Sequence, residues 1–145
     1  MAIWKSGRRL FSTAALLMLL TAALHTIGNM SARPDAGAEE KVFTDMGNLH
    51  FPLGMGMNPS LRDVYWDLVF TMSITFAALG LLNLVVAGCA EVGPDVLRRM
   101  SWVNALWVGM FVILNVKYQI PPPLISGVVI ELVVIASLLV RPKTV

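Results

Sequence analysis

Hydrophobic residues in this chain come in long unbroken runs, with the polar residues gathered between them. Four runs stand out: Leu10 to Met30, Val64 to Ala87, Met100 to Val116 and Leu124 to Val140. A helix crosses the hydrocarbon core of a bilayer with about 20 mostly apolar residues, within a range of about 17–25. Each run meets that requirement, and the third gains length from its flanks. The predicted spans are residues 10–30, 64–87, 98–117 and 122–140. Lipid offers no partner to exposed backbone groups, and no stretch alternates as a barrel strand would. The expected fold class is therefore all-α: one integral membrane domain over residues 1–145, a four-transmembrane-helix antiparallel bundle.

The breaks between runs have their own signals. Residues 31–63 form the only long connection, opening with the small, polar "SARPDAGAEEK". The following "VFTDMGNLHFPLGMGMNPSLRD" is apolar and punctuated by glycine, which predicts a segment folded back on the bundle's end, with a short helix around Val42 to Asn48. Pro59 and Ser60 read as a turn and helix start ahead of the second span. Pro121 to Pro123 suit a helix entrance, where a missing N–H costs little.

Composition strengthens the membrane reading. Of 145 residues, 57% are hydrophobic and only 14% charged, where a soluble domain carries roughly 25% charged residues. The pI of 9.0 comes with a net charge of only +2. Its cations sit at the ends of apolar runs, a mark of topology and not of a nucleic-acid-binding face. Lys5, Arg8, Arg9, Arg98, Arg99, Arg141 and Lys143, seven of the eleven cations, fall on one side if both termini are cytoplasmic. The positive-inside rule then puts residues 31–63 and "KYQIPPP" outside a cytoplasmic (inner) membrane. Trp4, Trp66 and Trp102 lie near span ends, as interfacial anchors do. The first run continues past "TAA" without a turn, beyond the 7–15 apolar residues of a signal peptide, so it is expected to remain as a span.

Cofactor chemistry finds little footing. Cys89 is the only cysteine, so there is neither an internal disulfide nor a Cys-x-x-Cys pair. No Gly-x-Gly-x-x-Gly or phosphate-loop pattern occurs, and no cofactor is expected. His50 with Met46, Met55 and Met57 is a set soft enough for Cu(I). Without a repeated Met motif it reads as loop packing, and no metal is assigned.

The informative residues are the polar ones inside the runs. Thr21, His25 and Asn29 recur every four residues and share one helical stripe, which is expected to face protein or a cavity instead of lipid. Asp67 lies about one turn into the second span and Lys117 closes the third. Glu131 interrupts "SGVVIELVVIA", where a carboxylate costs about 2.5–3.5 kcal/mol unless satisfied. It is expected to point inward to a partner, with Gly127 one turn away allowing close helix approach. Antiparallel connection places all four ionisable groups in the outer half of the bilayer. Asn104 and Asn115 share a face of the third span and are candidates for interhelical hydrogen bonds, while Ser73, Ala77 and Gly80 suit close packing of the second.

"LHTIG" near the end of the first span and "YWDLVF" at the start of the second resemble a family of small bacterial integral membrane proteins with four helices and no established activity. The matching residues are His25, Thr26, Gly28, Tyr65, Trp66 and Asp67; Leu24 stands where the family often has glycine, and "LVFTMSI" replaces an aromatic–glycine run. The resemblance implies fold and membrane location, and it places His25 and Asp67 in one site.

The functional expectation is a pocket in the outer half of the bundle that binds a small or lipid-like ligand or a partner helix. His25, Asn29, Asp67 and Glu131 would line it, with Lys117 at its rim, and His25 would face Asp67 beneath the Met-rich segment. The expected partners are the lipid bilayer, that ligand and a membrane protein, with nucleic acid excluded. Two alternatives remain. One is a membrane enzyme or proton-coupled carrier using His25 with Asp67 or Glu131 as acid and base. The other is a structural subunit of a membrane complex.

Overall fold

Every regular element among the described residues is a helix: α1 (Ala2–Ser31), α2 (Ala38–Asn48), α3 (Leu61–Gly88), α4 (Pro94–Tyr118) and α5 (Pro121–Leu139). The computed structural model describes residues 2–31 and 37–140. Arg141, Lys143 and part of the polar stretch after the first span (32–36) lie outside the described residues, as do the side chains of Trp4 and Lys5. Four helices are long and apolar enough to cross a membrane: Ser6–Ser31 within α1, then α3, α4 and α5. The chain is accordingly a multi-pass, all-helical membrane protein.

The helices outrun the apolar runs that announced them. Apolar content marks only the lipid-crossing part, and α1 stays helical through Arg8 and Arg9 because arginine is a good helix former. α3 starts at Leu61 because Ser60 caps it. The Ser60 hydroxyl accepts from the Asp63 N–H at 3.2 Å, and Asp63 Oδ2 accepts from the Ser60 N–H at 2.9 Å. Ser60→Ala removes this reciprocal cap and should cost about 1 kcal/mol, read as a lower unfolding midpoint in mild detergent. α4 ends at Gln119, whose left-handed backbone (φ 54°) lets its N–H reach the carbonyls of Asn115 and Val116.

Small residues set how closely the spans approach. Ala14, Ala15 and Ala22 of α1 are buried, and Gly80 of α3 is buried against them. A Cβ on Gly80 would stand 2.9 Å from the Ala15 carbonyl oxygen. α1 packs against α3 and α5, and α4 packs mainly on α5. Between them lies a core of Met18, Phe76, Val108, Ile130 and Val134, with Trp107 and Phe111 set edge-on to Phe76. Leu20, Leu81, Leu106 and Leu132 are exposed, the outward apolar belt that a lipid-facing surface requires.

Polar pairs tie the core together. Asn83 Nδ2 donates to Asn104 Oδ1 at 3.2 Å, so Asn104 forms the interhelical bond expected of it. Asn115 instead donates to Phe111 O in its own helix. Ser137 donates to Ser101 at 3.0 Å across α4 and α5.

The long connection differs from expectation. α2 begins at Ala38, earlier than Val42, and Phe43 packs edge-on against Tyr65 and Trp66 of α3. Residues 49–60 then form a small hairpin with its tip at Gly54, Met55 and Gly56, all at positive φ. Among the described helices α2 packs on α3 alone; Leu49, Phe51, Leu53, Met55 and Met57 of the hairpin remain exposed.

Candidate functional site

The stripe on α1 meets α3 through one hydrogen bond. His25 Nδ1 lies 2.9 Å from Ser73 Oγ, and His25 is half-buried while Ser73 is buried. Ser73 has one hydroxyl proton and two nearby acceptors, His25 Nδ1 and the Val69 carbonyl at 3.5 Å. Given to Val69, that proton leaves Nδ1 protonated and Nε2 as an acceptor. Given to Nδ1, it leaves Nε2 carrying the proton as a donor. Rotation of one hydroxyl therefore sets which polarity the ring offers, and Nε2 makes no hydrogen bond among the described residues.

His25 also borders a cavity of about 220 Å³, lined with it by Thr21, Leu24, Met72, Pro122, Pro123 and Ser126. Three helices build it. α1 supplies Thr21 and His25 one turn apart, α3 supplies Met72, and α5 supplies its proline-rich first turns. The prolines turn apolar rings to the cavity without stranding N–H groups, because the first turn of a helix has no carbonyl to bond. Ser126 Oγ donates to the Pro123 carbonyl at 3.1 Å, which leaves its lone pairs as acceptors.

The other expected site residues fall elsewhere. Asn29 bends back on its own helix, its Nδ2 donating to the His25 carbonyl at 2.7 Å. Asp67 is exposed and makes no hydrogen bond or ion pair among the described residues. The expected His25–Asp67 pair does not form. Asp67 and Ser73 are six residues apart, about one and two-thirds helical turns, so they leave α3 on different faces. Lys117 is exposed, with its Nζ 5.4 Å from the Tyr118 ring centroid, where a cation in the last turn also suits the helix dipole.

Glu131 is half-buried and lines a separate groove between α4 and α5. It stands ten residues from Pro121 and eight from Leu139, near the middle of α5. Its Oε2 is buried without a hydrogen-bond partner. Gly127 is buried against Phe111 and Val112, the close approach foreseen for it. His25 and Glu131 thus line different cavities, and Asn29, Asp67 and Lys117 line neither of the two.

Sequence reasoning missed Ser73 as the partner of His25, having treated it only as a packing residue. The signal was present in Ser73, Ala77 and Gly80, a small-residue face that has to meet another helix. Pro122 and Pro123 were read as helix-entry residues and not as walls. On the connection, His50 Nδ1 is 2.9 Å from the Asn58 carbonyl, while Met55 and Met57 are exposed. Among the described residues, no three His, Cys, Asp or Glu side chains gather as metal ligands would.

No family model, curated protein or solved structure matches the chain.

Proposed function

We propose that this protein is a small-ligand-binding membrane protein, and that the His25 cavity is its binding site. In this reading the four spans form an antiparallel bundle in a bacterial cytoplasmic membrane, with both termini cytoplasmic and the His25 end outside. The observation that carries it is half-buried His25 beside a mostly apolar cavity, with Nδ1 engaged by Ser73 and Nε2 unengaged. Small-molecule sites commonly have this make-up, mostly apolar walls with a few placed polar groups. At about 220 Å³ the cavity lies below the roughly 300–1,000 Å³ of drug-sized sites. It suits a small molecule, or the polar group of a lipid-like one whose chain lies outside. Binding is favoured over acid–base catalysis because no carboxylate bonds His25 among the described residues.

The test adds a total extract of the host membrane to delipidated protein in mild detergent. A ligand present at about 100 times its Kd stabilises the folded state by about 2.7 kcal/mol, so the unfolding temperature should rise. Ser126→Phe, which fills the cavity, should abolish the rise. No rise in the wild type, or an equal rise in both, would refute the site. Copurification with another membrane protein, without any rise, would favour the subunit reading. Reporter fusions at residue 40 and at the C-terminus should report opposite sides of the membrane; both on one side would overturn the topology.

A further inference from the structure

A second groove, between α4 and α5, shares no wall residue with the His25 cavity. It encloses about 520 Å³, and its walls include Trp102, Leu106, Ile135 and Leu139. Two groups of opposite charge line it without meeting. Arg98, in the second turn of α4, makes no hydrogen bond or ion pair among the described residues. Glu131 has a buried Oε2 with no hydrogen-bond partner, and its Oε1 would lie 3.7 Å from a Cβ on Gly109. Gly109 is eleven residues beyond Arg98, roughly 16 Å along the helix. The groove thus offers a cation at the membrane edge, an apolar floor and an unsatisfied acceptor near the middle of the membrane.

We infer that this groove binds an acidic amphiphile carrying a hydrogen-bond donor, a hydroxyl or amide N–H, partway along its chain. The acid head meets Arg98, whose guanidinium binds carboxylate or phosphate alike. The chain runs over Trp102 and Leu106, and its donor reaches the Glu131 carboxyl group, which lines the groove and makes no hydrogen bond among the described residues. A plain acyl chain would fill the same space but leave that carboxyl group without a partner, which is costly in an apolar setting. A cationic amphiphile would suit Glu131 and be opposed by Arg98. Only a ligand with an acceptor at one end and a donor at depth answers both groups.

The probe pair is stearate and a hydroxystearate with its hydroxyl near mid-chain, each radiolabelled, binding to the full chain in phosphatidylcholine nanodiscs. Hydroxystearate should bind about tenfold more tightly, as giving a partner to an otherwise unsatisfied buried polar group implies. Glu131→Leu should erase that preference and leave stearate unchanged. Methylating the acid, or Arg98→Gln, should weaken hydroxystearate, and the two losses should not add. Ser126→Phe, which fills the other cavity, should leave the preference for hydroxystearate over stearate in place, which separates this site from the His25 cavity. Equal binding of the two acids to the wild type, no saturable binding, or a preference that survives Glu131→Leu would each overturn the inference. If Glu131→Leu fails to fold, the wild-type comparison of the two acids and the ester decides.

Discussion

Gly80→Ala should destabilise the protein by about 1–3 kcal/mol, the range for forcing atoms into a packed interior. The added Cβ would stand 2.9 Å from the Ala15 carbonyl oxygen and 2.8 Å from Leu19 Cγ. Leu19 can turn aside, but the Ala15 oxygen belongs to the α1 backbone and moves only if the helix does. Separating α1 from α3 would also pull His25 from Ser73, so the variant should lose ligand-dependent stabilisation as well as stability. Gly28→Ala is the control, since nothing stands within 4 Å of a Cβ there. Relief of glycine's entropic cost inside a helix is worth roughly 0.5–1 kcal/mol, so that variant should be neutral or slightly stabilised. Equal unfolding midpoints for the two variants in mild detergent would show that the α1–α3 seam has slack.

Asn83→Leu should cost about 1–3 kcal/mol, because it strands the buried amide of Asn104. Both residues are at most 2% exposed, so water cannot take over the lost bond. The pair is already only half satisfied: Asn83 Oδ1 and Asn104 Nδ2 have no partner. Replacing both residues by leucine should therefore be less damaging than the sum of the single changes, with a coupling of about 0.5–3 kcal/mol. Strict additivity in thermal unfolding would mean that the two amides do not share a bond in the membrane.

The spans were legible because transfer to lipid is decided locally, residue by residue, and Leu10 to Met30 or Val64 to Ala87 leave little choice. Their ends were less so. Arg8 and Arg9 are helical yet carry no apolar signal, and the Ser60–Asp63 cap extends α3 beyond its apolar run. Inward-facing residues were legible where a polar side chain had one affordable direction, as with His25, Asn104 and the small face around Gly80.

Partners were harder, because they depend on the rotational phase of two helices at once. Depth put Asp67 near His25, but phase turns Ser73 to it instead. Glu131 was expected to find a partner in the bundle; the sequence could not show that its Oε2 would be buried with none. The hairpin at residues 49–60 escaped notice because its turn uses Met55 at positive φ between two glycines, a choice that no helix or strand periodicity announces.

The His25 cavity is tested most directly by what the protein carries out of the membrane. The wild-type chain, purified in mild detergent and analysed by native mass spectrometry, should retain one small or lipid-like molecule of defined mass per chain. Ser126→Phe, folded to the same unfolding midpoint in the absence of ligand, should retain none. The same molecule at the same occupancy in both proteins, or no retained molecule in the wild type, would contradict a binding site at His25.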